Sequence, residues 1–172
     1  MASDEVDKLS DKLFKLRVSK KILLILDINK TLVLRINGKI HKRKGLTKFI
    51  DSILEIYDVA VFTSMTKKNL DLLLPKIFTP EQISKLIFIW DREYTDPDPD
   101  RKEGEWSTIK NIDKIKNLYK YERYLLIDDS YDKVRFNQPD EILICPAFED
   151  INESGLTLND LITKIKMKLS NN

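Results

Sequence analysis

The stretch Ile22-Leu-Leu-Ile-Leu-Asp27-Ile-Asn29-Lys-Thr31 decides how this chain folds. Five consecutive apolar residues are too few for a buried helix and suit a strand covered on both faces, the kind found inside parallel sheets. Runs of the same character occupy 59–62, 86–89, 124–127 and 142–144, with helical patterns between them. The clearest helix places Leu46, Phe49, Ile50, Ile53 and Leu54 on one stripe, and others are expected over 67–77, 109–119 and 158–169. This alternation predicts an α/β fold, a Rossmann-like, open and mostly parallel sheet flanked by helices through right-handed crossovers. Val6, Leu9, Leu13 and Leu16 recur at helical spacing among charges, so residues 1–18 are expected to form an amphipathic helix packed on a domain spanning 19–172.

A chain of 172 residues, 42% hydrophobic, is long enough for one domain with a real core. Its 30 Lys and Arg nearly cancel 28 Asp and Glu, so the formal charge of +2 does not mark a bulk nucleic-acid binder. Cys145 is the only cysteine, which excludes a disulfide framework or thiolate metal cluster within the chain and favours an intracellular setting, nucleus or cytoplasm. Neither a secretory leader nor a membrane span is legible, and a soluble protein is expected. With four glycines, the Gly-rich phosphate loops of dinucleotide and P-loop proteins are out of reach. Any phosphate must be held by another device.

In a parallel sheet the carboxyl ends of the strands open onto one crevice, so polar residues that directly follow the apolar runs converge there. The first run leads into Asp27, Asn29 and Thr31, the second into Thr63 and Ser64, and the fourth into Asp128, Asp129 and Ser130; Lys110 opens the helical pattern before that fourth run. Asp27, Asp128 and Asp129 in one crevice repel one another unless a cation sits among them. Oxygen ligands without histidine or thiolate point to a hard divalent ion, Mg²⁺. Lys110 and the Thr63 hydroxyl then suit phosphate oxygens, and Asp27 is placed to attack phosphorus. Each residue alone has an ordinary reading: Asp27 and Thr63 as caps, Asp128-Asp129 as the start of a turn, Lys110 as solvated surface. Their succession at strand ends is what carries the argument.

Receiver domains share this chemistry but meet the acidic pair before the acceptor aspartate, whereas here the acceptor comes first. That order resembles the haloacid dehalogenase superfamily. Within it, the chain resembles the FCP1/SCP-like (NIF-type) protein phosphatases over about residues 20–150. The likeness rests on Leu24-Ile-Leu-Asp-Ile-Asn-Lys-Thr-Leu-Val33 (a DxDxT-type motif), Lys42-Arg-Lys-Gly-Leu-Thr-Lys-Phe-Ile50, Val61-Phe-Thr-Ser64, Asp91-Arg-Glu93, Lys110, Leu126-Ile-Asp-Asp-Ser130 and Asn137-Gln-Pro139. The resemblance implies that Asp27 is the nucleophile and position 29 the general acid and base. It further implies that Thr63, Ser64 and Lys110 hold phosphate and that Arg92 reaches substrate. Asp27, the main-chain carbonyl of Asn29 and Asp129 would ligate Mg²⁺, with Asp128 behind them orienting the lysine or a metal-bound water.

The family pattern expects aspartate where this chain has Asn29. An amide cannot accept and return a proton, a loss typically worth ~10² to 10⁴ in rate at each step it served. An introduced disabling substitution, a binding-only homologue and a slow enzyme using another acid all fit that residue. The resemblance implies a phosphatase acting through an aspartyl-phosphate on phosphoserine or phosphothreonine in proteins, of the RNA polymerase II C-terminal-domain type. A pseudophosphatase that binds phosphopeptides, and a nucleic-acid end phosphatase, are the alternatives. No large cap domain is expected, and an open site suits a phosphorylated protein segment better than a small metabolite.

The Asp/Pro-rich stretch 94–106 reads as a surface loop that either borders the site or is a plain insertion. Trp90 and Trp106 bracket it and are expected to pack it down, His41 to be an exposed loop residue, and Cys145 to be buried. Lys39, Lys42, Arg43 and Lys44 are expected to form a solvated basic face.

Overall fold

The computed structural model describes residues 21–153 and 157–171. The helix expected over 1–18 lies outside the described residues. Five parallel strands form the central sheet, in the order β5-β4-β1-β8-β9. Strand β1 (Ile22–Leu26) is central, between β4 (Asp58–Phe62) and β8 (Arg123–Asp128), and β5 (Ile89–Trp90) and β9 (Ile142–Ile144) close the edges. From β1 the chain first builds to one side and later to the other, so the topological switch point lies at the carboxyl end of β1.

The period-2 geometry of a strand explains why both faces had to be apolar. Leu24 and Leu26 point with Val59, Val61, Leu125 and Ile127 into one core, closed by α1 (Leu46–Ile56), α2 (Lys67–Ile77) and α6 (Leu158–Ser170). Leu23 and Ile25 point with Ala60, Phe62 and Leu126 into the other, where α4 (Ile112–Leu118) contributes Ile112 and Ile115. The α1 stripe buries Leu46, Phe49, Ile50 and Ile53 as its spacing predicts. Among the described residues no large cap domain is inserted.

Several local features depart from the sequence reading. A hairpin, β2 (Val33–Ile36) with β3 (Lys39–Lys42), follows the first motif, and its turn residues Asn37 (φ 49°) and Gly38 (φ 76°) are both left-handed. Asn-Gly is the dipeptide that such a tight turn selects. His41 sits half-buried on β3 opposite Leu34, rather than in an exposed loop. The apolar run 86–89 becomes a strand only at Ile89–Trp90, although Ile87 N–H already donates to the Val59 carbonyl at 2.9 Å. Helix α4 starts at Ile112 because Asn111 caps it and because β7 (Thr108–Ile109) pairs with β6 (Asp96–Pro97). The short helices α3 (Pro80–Lys85) and α5 (Tyr131–Val134) complete the order.

Trp106 does not pack the 94–106 loop down: it is 85% exposed, while Trp90 is buried and stacks on Tyr94 at 4.6 Å. Trp90 thus packs the start of the loop as expected, and the remainder is tied by charge. Arg135 on the far side donates to Asp98 at 2.7 Å and to Asp100 at 2.9 Å. Lys39, Lys42 and Lys44 face solvent as expected, but Arg43 is 1% exposed. Its guanidinium can leave water because each of its nitrogens has a partner: Nε donates to Glu153 at 2.8 Å, and the other two donate to the Thr31 and Pro146 carbonyls at 3.1 and 2.8 Å. Cys145 is buried as expected, and burial pushes its thiol up to about 11.

Candidate active site

At the end of β1 the backbone stays extended through Asp27, whose N–H donates to the Ile127 carbonyl at 2.9 Å, and then turns sharply. The Ile28 carbonyl accepts from the N–H groups of Thr31 and Leu32 at 3.2 and 2.9 Å, and Lys30 takes a left-handed φ of 63° to allow it. A non-glycine residue held there is strained, and surrounding contacts must over-determine it. They do: Lys30 N–H donates to Val33, its carbonyl accepts from Phe148, and its ammonium pairs with Glu149 at 3.0 Å. The turn brings the Thr31 hydroxyl back to Asp27 Oδ2 at 3.1 Å and within 3.4 Å of Asp129 Oδ1.

Lys110 is 1% exposed, and its Nζ lies 2.6 Å from both Asp27 Oδ1 and Asp128 Oδ2. The reading of Lys110 by itself as solvated surface is therefore overturned: two carboxylates offset the cost of burying its charge. Asn137 fixes this segment from behind, donating to the Lys110 carbonyl at 2.8 Å and accepting from Ile112 N–H at 2.8 Å. Asp128 is committed at both oxygens, since its Oδ1 accepts from Ser130 N–H at 2.9 Å. Asp129 is half-buried and less engaged.

Thr63 follows β4 with its hydroxyl oxygen accepting from Met65 N–H at 3.2 Å, which leaves the hydroxyl proton available. The Ser64 Oγ is buried without a hydrogen-bond partner among the described residues, an orphan that a bound oxygen would satisfy. Arg92 reaches in from the end of β5, its Nε donating to the Ser64 carbonyl at 3.1 Å. Asp27, Asn29, Thr63, Ser64, Arg92, Lys110, Asp128 and Asp129 line one pocket of about 320 Å³, together with Lys30, Met65, Ser130 and Lys133. The residues to which the sequence reading assigns nucleophile, metal or phosphate roles all line it.

One oxygen from each of Asp27, Asp128 and Asp129 lies within 4.8 Å of the others. Burial, reinforced by Asp128 and Asp129 and opposed by Lys110, raises the Asp27 carboxyl to about 7. Burial first and then Asp128 raise Asp129. Burial works against the Lys110 ammonium, but Asp27 and Asp128 outweigh it and hold its pKa above the ordinary value. One ammonium cannot neutralise three carboxylates. The donor set is all oxygen with no histidine or thiolate, and its uncompensated charge is about that of one divalent cation, so the cluster fits a hard metal ion.

The sequence places Thr31 at the end of the first run without giving it a role, and Lys30 and Asn137 appear there only inside matching motifs; Lys133 carries no signal beyond charge.

The sequence matches the NLI interacting factor-like phosphatase family over residues 22–172. No curated protein matches it. Among solved structures, it is similar to Fcp1, an essential RNA polymerase II CTD phosphatase, with a TM-score of 0.57 and 18% identity over 94% of this chain and 51% of that one. It is also similar to fission yeast Fcp1 carrying an arginine-to-alanine substitution and bound to beryllium fluoride, with a TM-score of 0.56 and 16% identity over 94% of this chain and 53% of that one. These likenesses establish the fold, and the chain spans about half the length of either structure. With the family match covering nearly the whole described chain, the protein belongs to the NLI interacting factor-like phosphatases of the haloacid dehalogenase superfamily.

Proposed function

We propose that this chain is a Mg²⁺-dependent phosphatase domain that acts through an aspartyl-phosphate on phosphoserine or phosphothreonine in proteins, of the RNA polymerase II C-terminal-domain type, with turnover reduced by Asn29. The observation that carries it is the Lys110 bridge between Asp27 and Asp128, on the floor of a pocket that also holds Thr63 and the orphaned Ser64 hydroxyl. A buried lysine that holds a carboxylate oriented, beside the Ser64 hydroxyl that has no partner among the described residues, is suited to place a phosphoryl group against that carboxylate.

Asp27 forms a bond to phosphorus as the bond to the serine or threonine oxygen breaks, and the departing oxygen takes a proton. Water then attacks the aspartyl-phosphate, releasing inorganic phosphate and restoring Asp27. Both steps need a group to give or remove a proton at position 29, and the amide of Asn29 does neither. Thr63, Ser64 and Lys110 hold phosphoryl oxygens, and Arg92 reaches the substrate at the rim. Mg²⁺ bound by Asp27, Asp129 and the Asn29 carbonyl would supply positive charge for those oxygens. Asp129 suits that role because it lies in the same carboxylate cluster and, among the described side chains, accepts only from the Thr31 hydroxyl, at 3.4 Å, whereas Asp128 is held by Lys110 and Ser130. The absence of a large cap among the described residues favours a protein segment over a small metabolite.

The test compares this chain with Asn29→Asp on a phosphoserine peptide, a terminal nucleotide phosphate and a small aryl phosphate, with Mg²⁺. The expected result is a rise of ~10² or more on the peptide. No rise on any substrate sinks the impaired-enzyme reading. The binding-only reading is favoured by one observation, the exposed Asn29 side chain at the pocket mouth; it predicts tight phosphopeptide binding and no rescue.

A further inference from the structure

Lys133 and Arg92 stand out among the cations of the pocket. Lys110 is ion-paired to Asp27 and Asp128, and Lys30 to Glu149. Lys133 and Arg92 form no ion pair with any described residue, yet both line the same pocket. They arrive from opposite directions in the sheet, Arg92 after edge strand β5 and Lys133 after β8. Burial, then Lys110 and Arg92, push the Lys133 ammonium below its ordinary value, and the attraction of Asp128 and Asp98 does not restore it.

Both cations rest on fixed supports. The Lys133 carbonyl accepts from Lys110 N–H at 2.8 Å, which locks its turn to the residue that orients Asp27. Two residues on, Arg135 ties the same turn to Asp98. Arg92 N–H donates to the Met65 carbonyl at 2.8 Å, and its Nε to Ser64. Two unpaired cations held near each other on rigid elements repel, and an anion placed against both relieves that repulsion.

We propose that Lys133 and Arg92 form a second anion subsite, which binds a negatively charged group of the substrate other than the phosphoryl group being removed. Resting on the phosphoprotein reading above, this narrows the substrate class to segments that carry a second phosphate or an acidic side chain near the phosphorylated residue. Lys133 acts in it as a specificity-determining residue. The reacting phosphoryl group does not need it, since Thr63, Ser64 and Lys110 already face that position.

The test measures binding of three otherwise identical peptides to the full chain by fluorescence anisotropy: one phosphoserine, two phosphoserines, and one phosphoserine flanked by aspartates. Turnover of the same peptides is measured in the Asn29→Asp chain. The doubly phosphorylated peptide is expected to bind about tenfold more tightly than the singly phosphorylated one, the aspartate-flanked peptide in between. Lys133→Met should reduce that ratio to about threefold or less while leaving the singly phosphorylated peptide nearly unchanged. Lys133→Arg should keep the ratio, and so should Lys68→Met on α2, away from the pocket. Equal weakening of all three peptides by Lys133→Met would place the ammonium on the reacting phosphate and overturn the second subsite. An unchanged ratio in Lys133→Met, or an equal loss in Lys68→Met, overturns it as well. Failure of the proposed function looks different, because then no phosphopeptide binds or turns over in either chain.

Discussion

Arg43 Nε and Glu153 Oε1 lie 2.8 Å apart across a sequence separation of 110 residues, with the Arg43 side chain wholly buried. The same guanidinium holds the Thr31 carbonyl, and the Thr31 hydroxyl holds Asp27. The pair therefore joins the segment after β9 to the turn that carries the candidate nucleophile.

Removing one partner of a buried pair leaves the other charge uncompensated, which typically costs 3–5 kcal/mol. Glu153 keeps some contact with solvent, so Glu153→Gln should cost about 3 kcal/mol, toward the low end of that range. Urea denaturation followed by circular dichroism measures it. A shift below about 1 kcal/mol, the worth of a surface pair, would show that Arg43 is not held this way.

Lys110→Met should lower turnover in the Asn29→Asp chain by ~10² to 10³, the usual loss when one preorganised electrostatic group is removed. Single-turnover phosphate release from a phosphoserine peptide reads this directly. Loss confined to KM would mean that Lys110 serves substrate binding alone.

The acidic cluster should make stability respond to Mg²⁺. At a free concentration of 100 times Kd, a ligand that binds only the folded state adds ~2.7 kcal/mol. A Mg²⁺ titration of thermal stability should rise accordingly for the parent chain and stay flat for Asp129→Asn. An equal rise in both chains would remove Asp129 from the ligand set.

Hydrogen bonds from Arg135, the Asp100 N–H and Ser107 hold the Asp98 carboxyl down, from 3.8 to about 2. A carboxyl with a lowered folded-state pKa contributes stability above its unfolded value and loses it as pH falls through the folded one. The 94–106 loop should therefore be protected from proteolysis more in the parent than in Asp98→Asn at pH ~5, with the difference fading between about pH 4 and 2. An acid-stable protease provides the measurement. A difference that persists at pH ~2 would assign the protection to something other than the charge pair.

Asp27, Thr63, Asp128 and Asp129 were legible because strands buried on both faces read as unbroken apolar runs, and the polar residue ending each run must lie at the crevice. The β2–β3 hairpin is hidden in the sequence because Asn37-Gly38 carries its turn chemistry but Val33–Ile36 is only four residues long and shows no apolar–polar alternation. The apolar run begins at residue 86 but the strand only at Ile89, because apolar residues before it fill a core through Phe88 before the sheet pairing becomes regular.

The sequence by itself determined the central parallel sheet, its main alternation of strand and helix, and the carboxylates and hydroxyls gathered at the carboxyl ends, because those follow from local periodicity and from where apolar runs stop. Only the tertiary structure decided which charges are buried and what they hold. Lys110, Arg43 and Lys133 are all cations in polar stretches. One bridges two carboxylates, one is enclosed by Glu153 and two carbonyls, and one lines the pocket without an ion pair to any described residue. Charge pairing across 18 to 110 residues depends on which elements pack together, and no local pattern encodes it.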